Sequence, residues 1–247
     1  MSDVLEISNI KKDFSGLQVL SNVSFKVREK DRYALIGPNG AGKTTLFNII
    51  SGKFKPSSGS IHYKKMDITG SSPHQLNLLK LSRSFQITNV FHEISVFDNI
   101  LSGVRSWYGM RYNFFRIPHH NRIISEKAEA ILEHVGLKEV KNRTAISLSY
   151  GQQRALEIGL TISTEPELIL LDEPTAGMTR EETEYAIRMI DRVTAGRTLI
   201  IIEHDMEVVF SLSNIISVLH HGTILASGSP EEIRNDQQVK EAYLGEE

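Results

Sequence analysis

"YALIGPNGAGKTTLFNIISG", Tyr33 to Gly52, decides the fold. Its first five residues are a short apolar run ending in glycine, the pattern of a buried strand. Its last ten read as a helix closed by Gly52. Between them "GPNGAGKTT" matches the phosphate-loop pattern G-x-x-x-x-G-K-[ST], with the strand before and the helix after that give the pattern its meaning. The candidate nucleotide-binding residues are therefore Gly37, Pro38, Asn39, Gly40, Ala41, Gly42, Lys43, Thr44 and Thr45. The glycines let backbone N–H groups converge on an anion. Lys43 is expected at the β- and γ-phosphates of a nucleotide, and the Thr44 hydroxyl at a Mg²⁺ ion.

Working outward, "VLEISNI" and "VLSNVSFKVRE" alternate like strands, with Val23, Phe25 and Val27 on one face. They predict an antiparallel β region before residue 32, and "GSIHYKKMDI" predicts a further short strand pair. From about residue 72 to 165 the pattern turns mostly helical. "SEKAEAILEHVGL" sets Ala128, Ile131, Leu132 and Val135 on one stripe, with Ser125 as its expected cap. "LSYGQ", Leu148 to Gln152, opens another helix through a capping box of Ser149 and Gln152. Strand and helix then alternate. "ELILLDE" and "TLIIIEH" read as strands, "TREETEYAIRMIDRV" and "DMEVVFSLS" as helices. "IISVLHHGTILASG" reads as a hairpin across His221-Gly222, and "SPEEIRND" as a helix boxed by Ser229 and Glu232 with Pro230 in its first turn. This order predicts an α/β core with a mainly parallel sheet and an inserted helical subdomain.

Composition narrows the function classes. Of 247 residues 40% are hydrophobic and 23% charged, ordinary for a globular protein. The net charge of −2 gives no overall pull toward nucleic acid, so none is expected as a partner. With no cysteine, disulfides and thiolate metal sites are excluded. Neither "LILL" nor "LIII" approaches the length of a membrane span, and the N-terminus has no apolar stretch of signal-peptide length. Any membrane role is expected to come through partners.

Asp172 and Glu173 end the run "LILLDE", where a parallel sheet binds its ligands. Asp172 suits the Mg²⁺ shell, and Glu173 suits accepting a proton from, or orienting, an attacking water. Alone, such a pair reads as a solvated strand end; beside a phosphate loop it reads as catalytic. Gln86 and His204 are weak singly, but their order suits the γ-phosphate side, Gln86 at the metal and its water, His204 at the phosphate oxygens. The helix start at Ser149, Gly151 and Gln152 is a second place able to attract phosphate.

Taken in order, "GPNGAGKTT", Gln86, "LSYGQ", "LILLDE" and "EHD" resemble the ATP-binding subunit of an ABC transporter over essentially the whole chain. "LSYGQ" is similar to the family signature LSGGQ, with Tyr150 in place of a glycine. The resemblance implies one ABC ATPase domain: a P-loop core with an N-terminal antiparallel β subdomain (1–85 and 166–247) and a helical subdomain at about 86–165. It implies that Phe14 stacks on adenine, against a simpler role packing in the β region. It implies that Ser149, Gly151 and Gln152 contact the γ-phosphate held by a second ATP-binding subunit, in a homo- or heterodimer. Thr179 stands where the family has aspartate, and with Glu182 it forms a capping box.

The segment after Leu101, "SYGQQRALEIG" and the ending "RNDQQVKEAYLGEE" resemble the hydrophobic amino acid uptake branch, which serves branched-chain amino acids, urea or short amides. "LDEPTAGMTREET" is especially similar to the urea members. Implied partners are transmembrane permease subunits and, indirectly, a periplasmic or extracellular substrate-binding protein. The implied location is peripheral, on the cytoplasmic face of the inner (plasma) membrane. Phe91, Ile94, Val96 and Phe97 are candidates for a groove that receives a permease helix. "RSWYGMRYNFFR" reads either as a membrane- or partner-facing surface or as packed helices. The ending "YLGE" also resembles lipopolysaccharide-export ATPases. An exporter ATPase, a soluble ABC ATPase and a non-hydrolysing nucleotide switch remain as alternatives.

Overall fold

The computed structural model describes residues 2–84, 90–108 and 118–244. The strands are β1 (Asp3–Phe14), β2 (Leu17–Arg28), β3 (Arg32–Ile36), β4 (Ser58–Tyr63), β5 (Met66–Asp67), β6 (Leu81–Arg83), β7 (Leu168–Asp172), β8 (Thr198–Ile202), β9 (Ile215–His220) and β10 (Thr223–Gly228). The helices are α1 (Lys43–Ile50), α2 (Pro73–Leu78), α3 (Val96–Trp107), α4 (Pro118–His134), α5 (Tyr150–Ile162), α6 (Arg180–Val193), α7 (Met206–Leu212), α8 (Pro230–Asn235) and α9 (Gln237–Leu244).

Two sheets form. One is antiparallel, in the order β2-β1-β4-β5. The other runs β10-β9-β3-β8-β7-β6 and is parallel except at β10. Every residue of β7 and β8 is buried, as expected of parallel strands covered on both faces. Alternate residues divide between two cores. Ala34, Ile36, Ile169, Leu171, Leu199 and Ile201 face α3 to α7. Tyr33, Leu35, Leu168, Leu170, Ile200 and Ile202 share the other core with Leu46, Phe47 and Ile50 of α1 and with Leu5, Ile7, Val23 and Val27 of the antiparallel sheet. The helix after the phosphate loop is thus held between the two sheets.

Turns obey their residues. His221 and Gly222 both take positive φ (44° and 74°), as do Lys64 and Lys65 (50° and 68°), the geometry that closes a two-residue hairpin. Two expectations need correction. Ser125 does not cap a helix: α4 begins at Pro118, so Ser125 lies inside it. Buried Ile124 extends the stripe of Ala128, Leu132 and Val135 upstream, and serine inside a helix costs too little to stop it. The mostly helical stretch also contains β6, a three-residue edge strand pairing with β7, too short for periodicity to announce.

Candidate ATP site

Register alone gathers the site. Leu35 of β3 pairs with Ile202 of β8, and Ile202 pairs with Asp172 of β7. One row across three neighbouring strands, spaced about 4.8 Å apart, therefore leads into Gly37, Glu203 and Glu173.

Gly37 adopts φ 150°, and a Cβ there would overlap the Leu219 carbonyl oxygen of β9. At Gly42, φ 103°, a Cβ would lie 2.7 Å from Leu20 Cδ2 of β2. The loop is therefore wedged between β9 and the start of β2, where only glycine fits. Gly42 is also the cap position of α1, and α1 receives no side-chain cap and has no acidic residue in its first turn. The first-turn N–H groups of a helix have no intrahelical acceptor, so this start is left for an anion. The Lys43 ammonium folds over the loop, donating to the carbonyl oxygens of Gly37 (2.6 Å) and Pro38 (2.8 Å). Thr44 is exposed at the same helix start.

Phe14 closes β1 at the hairpin tip and is 40% exposed, so it is not a core residue. Lys12 Nζ lies 4.8 Å from its ring centroid and Phe54 meets it edge-on. Val19 and Leu20, a few residues past the tip, are the β2 residues that abut Gly42.

Asp172 is buried, and its Oδ2 accepts from Arg83 Nη2 at 2.6 Å. Glu173 takes φ 45°, an uncommon conformation for a side chain with a Cβ. Its N–H donates to Ile202 O at 2.9 Å, pinning the bend to the end of β8. Beside it, Glu203 is buried, and its Oε1 accepts from the Thr175 N–H (3.0 Å) and hydroxyl (2.6 Å). Glu203 Oε2 accepts from the His204 N–H at 3.2 Å, while His204's own side chain is exposed. One carboxylate thus fastens the turn after Glu173 to the histidine. Neither Arg83 nor Glu203 emerged from the sequence. Glu203 had a signal, because it follows β8 as Glu173 follows β7.

The second candidate helix start is separate. Ser149 caps α5: its Oγ accepts from the Gln152 N–H (3.3 Å), and the Ser149 N–H donates to Gln152 Oε1 (3.1 Å). Ser149, Gly151 and Gln152 line a cleft of about 330 Å³ with Val135, Met178, Glu182 and Tyr185, and no phosphate-loop residue contributes to it. The Tyr150 ring packs on Gly177 and carries Arg154 over one face. Thr179 caps α6 through Glu182, as its spacing predicts. Gln86 lies outside the described residues.

The fold and the phosphate loop define an ATP-binding cassette, and the chain belongs to the ABC transporter family, whose profile matches residues 20–176. It is an ATPase of that family. A second profile, the branched-chain amino acid ATP-binding cassette transporter, matches residues 223–247. The chain is 39% identical over 250 residues to the high-affinity branched-chain amino acid transport ATP-binding protein LivG of Salmonella typhimurium, covering 98% of each chain. It is 39% identical over 252 residues to BraF of Pseudomonas aeruginosa, a protein of the same description, again covering 98% of each. Among solved structures, the ADP conformation of the ATP-binding cassette MJ1267 superposes with TM-score 0.86 at 31% identity, over 99% of this chain and 100% of that one.

Proposed function

We propose that the chain powers an importer of hydrophobic amino acids, with branched-chain amino acids as the first cargo to test and urea or short amides as the second. The names of its relatives support the cargo class. One observation carries the ATPase reading: an uncapped, acid-free helix start at α1 and the Asp172–Glu173 pair leave the same row of strand ends. ATP lies with its phosphates over the loop of residues 37–45 and its base against Phe14. Lys43 leaves the Gly37 and Pro38 carbonyls for the phosphates. Thr44 and Asp172 supply hard oxygen donors, with Gln86, that suit Mg²⁺. The ion's chemistry is to neutralise charge on the β- and γ-phosphates.

Glu173 orients or deprotonates the attacking water, and His204 holds the γ-phosphate. Ser149, Gly151 and Gln152 of a second subunit close over that phosphate, so hydrolysis releases the dimer. The partners are permease subunits and, through them, a substrate-binding protein, at the cytoplasmic face of the membrane. No helix among the described residues is long and apolar enough to cross a bilayer. Permease docking falls to Phe91 and Ile94, which are exposed, together with exposed Ile146, whose N–H donates to His92 O. Val96 is buried and Phe97 packs on the core, so they shape that face from below. Of "RSWYGMRYNFFR", residues 109–116 lie outside the described residues.

The deciding experiment compares phosphate release by wild type and Glu173→Gln. The variant should bind ATP within about twofold of wild type and hydrolyse it at least a hundredfold more slowly. Equal rates would remove Glu173 from catalysis and favour a nucleotide switch.

A further inference from the structure

Arg83 and Asp172 are taken from water together, with side-chain exposures of 5% and 2%. A buried ion pair offsets its desolvation only when further hydrogen bonds hold it. Here both Nη atoms of Arg83 are engaged, while its buried Nε has no hydrogen-bond partner among the described residues. Arg83 Nη1 donates to Asn48 Oδ1 (2.7 Å) on α1 and to Ser51 Oγ (2.8 Å), the residue that ends that helix. The two residues are three apart, hence on one side of the helix end. The guanidinium also covers the Phe47 ring at 5.0 Å from its centroid. Register explains the reach: Arg83 pairs with Leu170, so its long side chain extends along the sheet to Asp172, two residues further on β7. One planar fork therefore joins three elements: the helix that follows the phosphate loop, the strand that ends in Asp172, and β6.

We infer that Arg83 is the positioning residue of the metal carboxylate, holding Oδ2 of Asp172 so that Oδ1 alone is presented to the metal and its water. Asp172 Oδ1 accepts no hydrogen bond among the described residues. The Asn48 and Ser51 bonds fix the guanidinium against α1, so the carboxylate keeps its place relative to Thr44 at that helix's start. Lysine is a poor replacement, because a point charge cannot hold the carboxylate and the Asn48 and Ser51 acceptors in one plane. The inference rests on the reading of Asp172 as the metal carboxylate.

The test is a Mn²⁺ titration followed by the ion's paramagnetic resonance signal, with full-length protein loaded with a non-hydrolysable ATP analogue. Wild type should hold Mn²⁺ more tightly than the free analogue does. If it does not, the metal role of Asp172 falls, and this inference with it. If it does, Arg83→Met should weaken Mn²⁺ binding about tenfold, and Arg83→Lys should lie between, because orientation of a ligand typically governs 10–100-fold in metal affinity. In an Asp172→Asn background Arg83→Met should cause no further loss, as expected when two residues act as a unit. Unchanged Mn²⁺ affinity in folded Arg83→Met, or a full extra loss in the Asp172→Asn background, would overturn the inference and leave Arg83 a structural ion pair. Should Arg83→Met not fold, the Asn48→Ala, Ser51→Ala double variant decides. A two- to threefold weakening is expected from it, and none would overturn the inference.

Discussion

The starts of α1 and α5 are the two helix ends proposed to meet phosphate, and they are built in opposite ways. α1 begins at a left-handed glycine with no side-chain cap. α5 begins at a serine locked in a reciprocal capping box. Neither has an acidic residue in its first turn, a trait they share with α2, α4 and α9, whereas α3, α6, α7 and α8 each have one. An acid in that turn is the ordinary way to balance a helix's positive end. Both starts leave that end unbalanced. In the proposed mechanism they differ in whether the N–H groups wrap the ligand, as in the glycine loop, or stay on a stiff helix end that meets another subunit's nucleotide.

The largest effect should come from converting the first start into the ordinary kind. Gly42→Asp puts a capping carboxylate where phosphate belongs, on backbone at φ 103°. ATP affinity, read with a fluorescent analogue, should fall at least a hundredfold, roughly 3 kcal/mol or more. Unchanged affinity would remove α1 as the phosphate site. Next in size, Ser149→Arg should leave ATP binding by the monomer within about twofold while abolishing hydrolysis. Full activity would return Ser149 to being a helix cap and nothing more. A finer cut compares Ser149→Ala with Ser229→Ala. Each loses one cap, worth about 1 kcal/mol in denaturant unfolding. Only the Ser149 variant should also slow hydrolysis, by about tenfold or more, because one donor to phosphate is lost. Equal activity in the two would deny the α5 start any role beyond stability.

What the sequence disclosed follows the range of each interaction. The loop of residues 37–45, the capping boxes at Ser149, Thr179 and Ser229, and the hairpin turn at His221-Gly222 are each settled within a few residues, and all were legible. The Arg83–Asp172 bond joins residues 89 positions apart and the Thr175–Glu203 bonds join residues 28 apart, so neither leaves a local pattern. Ser125 misled for the same reason: its surroundings look like a cap, but Ile124 finds a buried place in the distant core. Apolar composition marks Phe91, Ile94, Val96 and Phe97 alike as candidates for docking, and only packing separates the exposed pair from the buried one.

The smallest expected effect separates two capping boxes. The box of α5 is closed by Gln152, and that of α8 by Glu232, whose Oε2 accepts from the Ser229 N–H at 2.7 Å. The bonds from the Ser229 backbone and hydroxyl hold the Glu232 carboxyl below its ordinary 4.5. Above pH 4.5 the group is ionised folded and unfolded, and its contribution is complete. As pH falls further the unfolded chain takes the proton first, and the contribution is gone below the lowered folded value. Glutamine does not titrate. Hydrogen-exchange protection of the Ser229 amide should therefore fall between pH 6 and pH 3, while that of the Ser149 amide stays level. Gln152→Glu should make the Ser149 amide acid-labile as well, keeping the cap at neutral pH. It should slow hydrolysis there too, because a carboxylate then stands at a helix start that receives phosphate in the proposed mechanism. Undiminished hydrolysis in Gln152→Glu, with the cap intact, would mean that the neutral closure of this box has nothing to do with the nucleotide.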